Sequence, residues 1–503
     1  MHPSMMVEDP AFREQQEPPG RAEGGRNPTR PHGGEFVPHP GIGGRMAQVT
    51  RVSPPGPAPG PEPEPEPTGT RPEPQPGGRR EPQPGTVAAA FRYRDFRIMW
   101  TGQFVSGIGT WMQNVALGPY ALSLTKTAEK PRGSASFVAI VGLAQLGPLL
   151  LLAVVGGVIA NRLPRKRLII GGQMVQMASA FVLAGLAMWS DNKLALLACV
   201  LVGGVANSLV GPTYASVMPE LVEREDMPGA ISLNSTSLNG SRVIGPLIIL
   251  ALTPLGITAS THRGLASIFV VNGLTFFASI AAIHTISLRP VRPRTTDDPS
   301  GVAQLFEGLT EARRNPVIGR LLLLLFLMSL LCLPYISQFP TIAEHNLGLN
   351  SRAGMYTLLF GTWAAGAMLG SLAQATVFAF VDKRVATRWL LVGFSLSLAA
   401  FSTVHSSATA FPVVVVLGFF YFGTTTAMST VLQQHLTDRK RAPVMALWMM
   451  SFGGTVAFGG YWGGWVVDRY SPAPMLLIGA GVAAVLAAAA NLKQLSERTT
   501  LPM

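Results

Sequence analysis

Between Ile98 and residue 493 the chain alternates long apolar stretches with short polar breaks, at about 98–124, 135–160, 167–190, 193–215, 228–254, 264–288, 317–341, 352–379, 387–405, 409–432, 443–467 and 472–493. A helix rising ~1.5 Å per residue needs ~20 residues to cross ~30 Å of hydrocarbon, and each stretch is near that length. Only a helix or a closed barrel satisfies its own backbone groups in lipid, so these runs predict transmembrane helices despite their many glycines and prolines. Residues 1–90 follow another pattern, rich in Pro, Gly, Glu and Arg, with strict Pro and Glu alternation from Pro61 to Pro67. Such a segment cannot bury enough apolar surface to offset its ordering entropy, which predicts disorder with polyproline II stretches. It has no apolar core of a secretory signal near its start, and Met46 offers an alternative start.

The predicted fold is an all-α membrane protein of twelve transmembrane helices in two six-helix halves. Its parts are a disordered cytoplasmic tail (1–90), an N-terminal half (91–288), a central cytoplasmic loop (289–316), a C-terminal half (317–493) and a cytoplasmic C-terminal tail (494–503). Composition agrees, since only 13% of residues are charged and 48% are hydrophobic. The formal charge of +12 would suit nucleic acid on a soluble face, but the cations fall between apolar runs. With the N-terminus inside, 22 Lys and Arg lie on inner segments against seven on outer ones (Lys126, Lys130, Arg132, Lys193, Arg263, Arg352 and Arg469). That bias predicts both termini in the cytoplasm and a plasma (inner) membrane location. Cys199 and Cys332 lie inside apolar runs and read as packing residues.

The loop after the second stretch, from Gly157 through Asn161 and Arg162 to Arg165, Lys166 and Arg167, is echoed 221 residues later by Asp382, Lys383 and Arg384. Two halves with matching loops are the pattern of a parallel-repeat transporter. With these residues the sequence resembles the major facilitator superfamily, whose signature between helices 2 and 3 is matched at Gly157, Arg162, Arg165 and Lys166. Asn161 stands where that signature has Asp, and Pro164 where it has its second Gly. Gly102 to Ser106, Gly109 to Gln113, Pro219 to Val222 and Asn234 through Asn239 to Arg242 and Pro246 resemble the branch of siderophore exporters and multidrug efflux proteins. The resemblance covers residues 92–493 and implies alternating access to a cavity lined by helices 1, 4, 7 and 10. It thereby nominates Asn207, Tyr335, Gln338 and Tyr421 as cavity residues.

Arg242 is the sharpest single signal, about 21 Å into its helix. A cation at that depth costs roughly 2.5–3.5 kcal/mol on insertion scales, so it should face the bundle interior or a wet cavity. Ser235, Asn239 and Arg242 make one polar stripe, and Gln103, Ser106, Thr110, Gln113 and Asn114 another. Each stripe suits either a polar substrate or bonds between helices. The cations Arg162, Arg165 and Lys166 and the acid Glu220, with Asp382 and Lys383 in the second half, suit a cytoplasmic gate that pairs on closing; the same cations also enforce orientation and meet anionic lipid.

No GxxxxGK[ST] phosphate loop, HExxH motif or paired intramembrane acids or cysteines occur, so neither an ATPase, a metalloenzyme, a metal site nor a cofactor is expected. The reading is a secondary transporter, an exporter of a small amphipathic or siderophore-like molecule, acting as a monomer in the lipid bilayer without nucleic acid. Protons as the coupling ion are implied by the resemblance alone, because only His284 and His435 approach a span. Two alternatives stand beside it, a lysolipid mover and a transport-inactive scaffold or sensor.

Overall fold

The computed structural model describes residues 83–162, 164–259, 261–288, 301–350 and 354–491; the side chains at 151, 153–163, 301, 302, 304, 438, 439 and 442 lie outside the description. The expected tail up to residue 82, Met46, the loop section 289–300 and residues 492–503 are likewise outside it.

The chain runs through α1 (Val87–Ala90), α2 (Arg94–Ser123), α3 (Ala135–Arg162), α4 (Arg165–Trp189), α5 (Lys193–Leu221), α6 (Met227–Leu252) and α7 (His262–Thr285). These form the first set. A second set follows as α8 (Gly301–Arg314), α9 (Pro316–Leu327), α10 (Pro334–Ser337), α11 (Phe339–Leu347), α12 (Gly354–Ala375), α13 (Lys383–Ser402), α14 (Ser407–Gln434), α15 (Asp438–Met449), α16 (Thr455–Arg469) and α17 (Pro472–Ala489). The polar breaks supply the caps. Asn192 accepts from the amides of Leu194 and Ala195, Thr261 from Gly264, and Asn315 from Val317 and Ile318, satisfying first-turn donors that have no partner inside the helix.

Among the described residues nine helices are long and apolar enough to cross a membrane, ten if the bent pair at 305–332 is counted as one. The 30 residues of α2 are less apolar because they carry the stripe at Gln103, Ser106, Thr110, Gln113 and Asn114. Apolar side chains also cover the outside, with Trp189 82%, Leu194 76% and Trp389 67% exposed, as a lipid-facing surface requires.

Three features depart from the expected pattern. Residues 83–90 do not belong to the tail: Ala89 and Ala90 are fully buried, and the Gly85 amide donates to Asp226 at 2.8 Å. The central loop contains a 14-residue helix, α8, which meets Pro316 at a bend of 114°. It is too short and too charged to register as an apolar stretch, and Phe306 and Leu309 point outward from it. The seventh and eleventh stretches are not continuous α-helices either. Each contains a π turn, at Met328–Cys332 and at Met450–Gly454. Pro334 and Pro340 cannot donate to the turns ahead of them, so the first of these spans breaks after its π turn into α10 and again at Gln338 into α11.

Close helix approach rests on glycine, as Gly366, Gly370, Gly459, Gly460, Gly463 and Gly464 suggest from sequence. A Cβ on Gly366 or Gly370 would stand 2.2 or 2.0 Å from a backbone oxygen of α14, so α12 and α14 pack backbone to backbone.

The apolar core is unequal along the bundle. One cluster spans both sets, and its first-set members, such as Met112, Tyr120, Val138, Leu183, Leu196, Ile249 and Phe269, all sit in the same end halves of their helices. At the other end, here the basic end because it carries Arg92, Arg165 and Lys166, a separate cluster of first-set residues forms around Phe96, Ile169, Tyr214 and Ile283. The second set has its own small cluster at Ala386, Leu390 and Ala427. The first set therefore joins the shared core only at the end opposite the basic one. The second set carries that core along its whole length and also meets α3 through α8 at the basic end.

Candidate functional site

The nominated residues fall into three groups. Thr110, Gln113, Asn114 and Asn207 gather around a partly open cavity of about 100 Å³ inside the first set. Gln145, Gln176, Ser179 and Asn272 complete its polar lining, and none of these stands out in the sequence as part of a stripe. The amides satisfy one another: Gln145 donates to the Asn114 carbonyl oxygen at 2.7 Å, and Asn272 to that of Gln113 at 2.8 Å. The lining is neutral, suited to water or an uncharged polar group rather than an ion. Cys199 lies at its edge and donates to the Ser179 carbonyl, consistent with a packing role. Gln103, half-buried two turns away on α2, does not reach the cavity.

Arg242 lies elsewhere. Its guanidinium carbon is 4.9 Å from the ring centre of Trp111 on α2 and 4.5 Å from that of Phe422 on α14, so one cation touches both sets. Such contacts are worth ~0.5–2 kcal/mol, more when desolvated. The residue is half-buried, but its Nε is sealed from solvent and has no hydrogen-bond partner. Asn239, one turn away, donates to the Ser235 carbonyl of its own helix. Beside Phe422 an aromatic wall continues through Tyr421, which is edge-on to Phe422 at 4.6 Å, stacks on Trp363 at 6.0 Å and faces Phe452 at 6.5 Å. Tyr335 belongs to that wall: it is buried and accepts from the Trp363 indole at 3.2 Å.

Gln338 joins a third group, a clasp between the sets at the end opposite the basic one. Fully buried, it donates to the carbonyls of Ala135 on α3 (3.0 Å) and Gly460 on α16 (3.4 Å) and accepts from Thr341. Asp468, at the end of α16, accepts from the Ser134 hydroxyl and from the amides of Ala135 and Ser136 at 2.7–3.0 Å. The carboxylate therefore caps α3, where its charge also meets the positive end of the helix dipole. Lys126 pairs with Glu344 at 2.8 Å across the same junction. No local pattern marks Asp468 in the sequence; only its contact with a helix start 332 residues away distinguishes it.

The residues expected at a cytoplasmic gate each bond within their own set. Arg165 pairs with Glu220 across the ends of α4 and α5, and Lys166 donates to the carbonyls of His284 and Ile286 at the end of α7. Asp382 caps α13 and pairs with Arg384, while Lys383 donates to the carbonyls of Gln374 and Phe378. Gly157, Asn161 and Arg162 end α3, but their side chains lie outside the description. Asp226 binds the lead-in segment through Gly85, Tyr93 and Arg92. Partial burial, and then the bond to Asp226, push the Tyr93 hydroxyl up, which keeps it protonated and donating.

Comparison with known proteins agrees with this architecture. Similar solved structures include the nucleoside transporter NupG (TM-score 0.61, 14% identity, 80% of this chain and 99% of that one) and the POT family transporter PepTSo (TM-score 0.62, 13% identity, 81% and 99%). At such identities they establish the fold. Among curated relatives, the Staphyloferrin A transporter of Staphylococcus aureus is 21% identical over 71% of this chain and 86% of its own length. Macrolide efflux protein A of Streptococcus pyogenes is 23% identical over 60% and 72%. A family model described as transmembrane secretion effector matches residues 85–500, a range that takes in every described helix, and the chain therefore belongs to that family of major facilitator transporters.

Proposed function

We propose that the chain is a secondary active transporter of twelve transmembrane helices in two sets of six, which exports a small amphipathic or siderophore-like molecule across the plasma membrane by alternating access. The observation that carries this reading is the unequal core: the first set shares an apolar interior with the second at one end only and keeps a cluster of its own at the other. Two bodies whose cores merge at one end and stay distinct at the other are what a rocking mechanism needs. With both termini in the cytoplasm, as the basic bias favours, the end with distinct cores faces inward and the clasp of Asp468, Gln338 and Lys126 closes the outside.

The family's description as a secretion effector and the macrolide efflux relative support export, and the half-buried rings of Trp111 and Phe422 beside Arg242 support an amphipathic substrate. Protons are the coupling ion in this reading, and the protein acts as a monomer.

The test compares a deletion strain with the same strain carrying the gene, challenged with a panel of toxic amphiphiles and iron chelators. The gene is expected to lower accumulation of one class several-fold, and a protonophore to abolish the difference. Equal accumulation of every class with and without the gene would sink the exporter reading in favour of a scaffold or sensor, whereas flux of lysolipid alone would favour the lipid mover.

A further inference from the structure

We infer that Arg242 is the anion-binding point of the passage, and that the molecule carried is an amphipathic acid: its carboxylate docks on the guanidinium while its apolar body lies on the aromatic wall beside it. This rests on the transporter reading and deepens it.

The rings of Trp111 and Phe422 attract the cation through their quadrupoles but accept none of its N–H groups. Guanidinium donors lie in its plane and match a carboxylate two at a time. Here the Nε donor is sealed from solvent and unbonded, and Arg242 makes no ion pair among the described residues. The neighbouring Ser241 hydroxyl is also buried without a partner. A cation held at membrane depth with unmade hydrogen bonds is a standing cost, which an arriving oxyanion removes.

The surroundings define the rest of the molecule. Trp111 and Phe422 beside the guanidinium, and Phe452 further along, are only half-buried and present an apolar surface next to the charge, while Tyr421 and Trp363 pack behind them as buried support. A small inorganic anion would leave that surface unused, and an apolar cation would meet Arg242 as a like charge. The competing role for Arg242, a bracket that holds α2 and α14 together through their rings, predicts no preference for the charge of a ligand.

The experiment uses the full chain in phosphatidylcholine nanodiscs with three matched probes: 2-naphthoate, its methyl ester and 2-naphthylmethylammonium. Equilibrium binding is read by calorimetry. Naphthoate is expected to bind at least about tenfold more tightly than either of the others, the scale of one charge-assisted bidentate contact. Arg242→Met should abolish that preference, and Arg242→Lys should keep part of it, since charge remains but the planar fork is lost. Equal binding of the three probes by the wild type, or an unchanged preference in Arg242→Met, overturns the inference. Should Arg242→Met fail to fold, the wild-type ranking and Arg242→Lys decide it. Naphthoate binding without flux in vesicles supports the anion point and overturns the transport reading; flux indifferent to charge overturns the anion point alone.

Discussion

The two ends of the bundle use similar chemistry for opposite purposes. At the basic end, the pair of Arg165 and Glu220, the Lys166 bonds to the end of α7 and the attachment of Asp226 to Gly85 each tie neighbouring elements of one set. At the opposite end Asp468, Gln338 and Lys126 reach from one set to the other. A carboxylate at the basic end stiffens a body; a carboxylate at the opposite end joins two. Charge density alone would have put the gate at the basic end, where the cations concentrate. What separates a brace from a latch is which bodies the partners belong to.

This contrast can be broken or sharpened by substitutions read with one assay, crosslinking between cysteines placed at Lys126 and Glu344. The largest effect is expected from Gly464→Leu. A Cβ there would already stand 2.7 Å from the Ala135 carbonyl oxygen, and overpacking of this kind costs about 1–3 kcal/mol or more. The opposite end should fail to close, with crosslinking and transport both reduced about tenfold. Gln338→Leu comes next. It removes the bond to the Ala135 carbonyl and takes from the buried Thr341 hydroxyl its acceptor, at about 1–3 kcal/mol, and should lower both the crosslink yield and the melting temperature.

Asp468→Asn should act in the same direction but more weakly, by about 1 kcal/mol, because its carboxylate is exposed and screened. The smallest effect belongs to Glu220→Gln. It removes a brace within the first set, so stability should fall by less than about 1 kcal/mol with the crosslink unchanged. A Glu220→Gln variant that loses the crosslink as fully as Asp468→Asn would erase the distinction between the two ends.

The helices are legible from sequence because length and apolarity are one-dimensional properties, and α4 to α7 and α12 to α14 begin and end close to the apolar stretches that announce them. Breaks that depend on neighbours are not. The π turn at Met450–Gly454 places Gly453 and Gly454 against Leu149 and Leu150 of α3, a contact that no local pattern announces. The site divides in the same way. Arg242 stands out because a cation at membrane depth is anomalous wherever it occurs, whereas Trp111 and Phe422 are ordinary apolar residues until folding brings them to it. Polar stripes on one helix are visible; the cavity formed when Gln145, Gln176 and Asn272 join them from three other helices is not. The gate cations were recognisable as a cluster, but their assignment to one body required the contacts between α4, α5 and α7.

The π turns at Met328–Cys332 and Met450–Gly454 are both in the second set, and the first set has no counterpart among the described residues. A π turn holds one surplus residue, which can migrate along its helix by exchanging one backbone hydrogen bond for the next. Under the rocking mechanism proposed above, the second set would be the pliant partner, absorbing part of each stroke as an internal twist while the first moves as a stiffer lever.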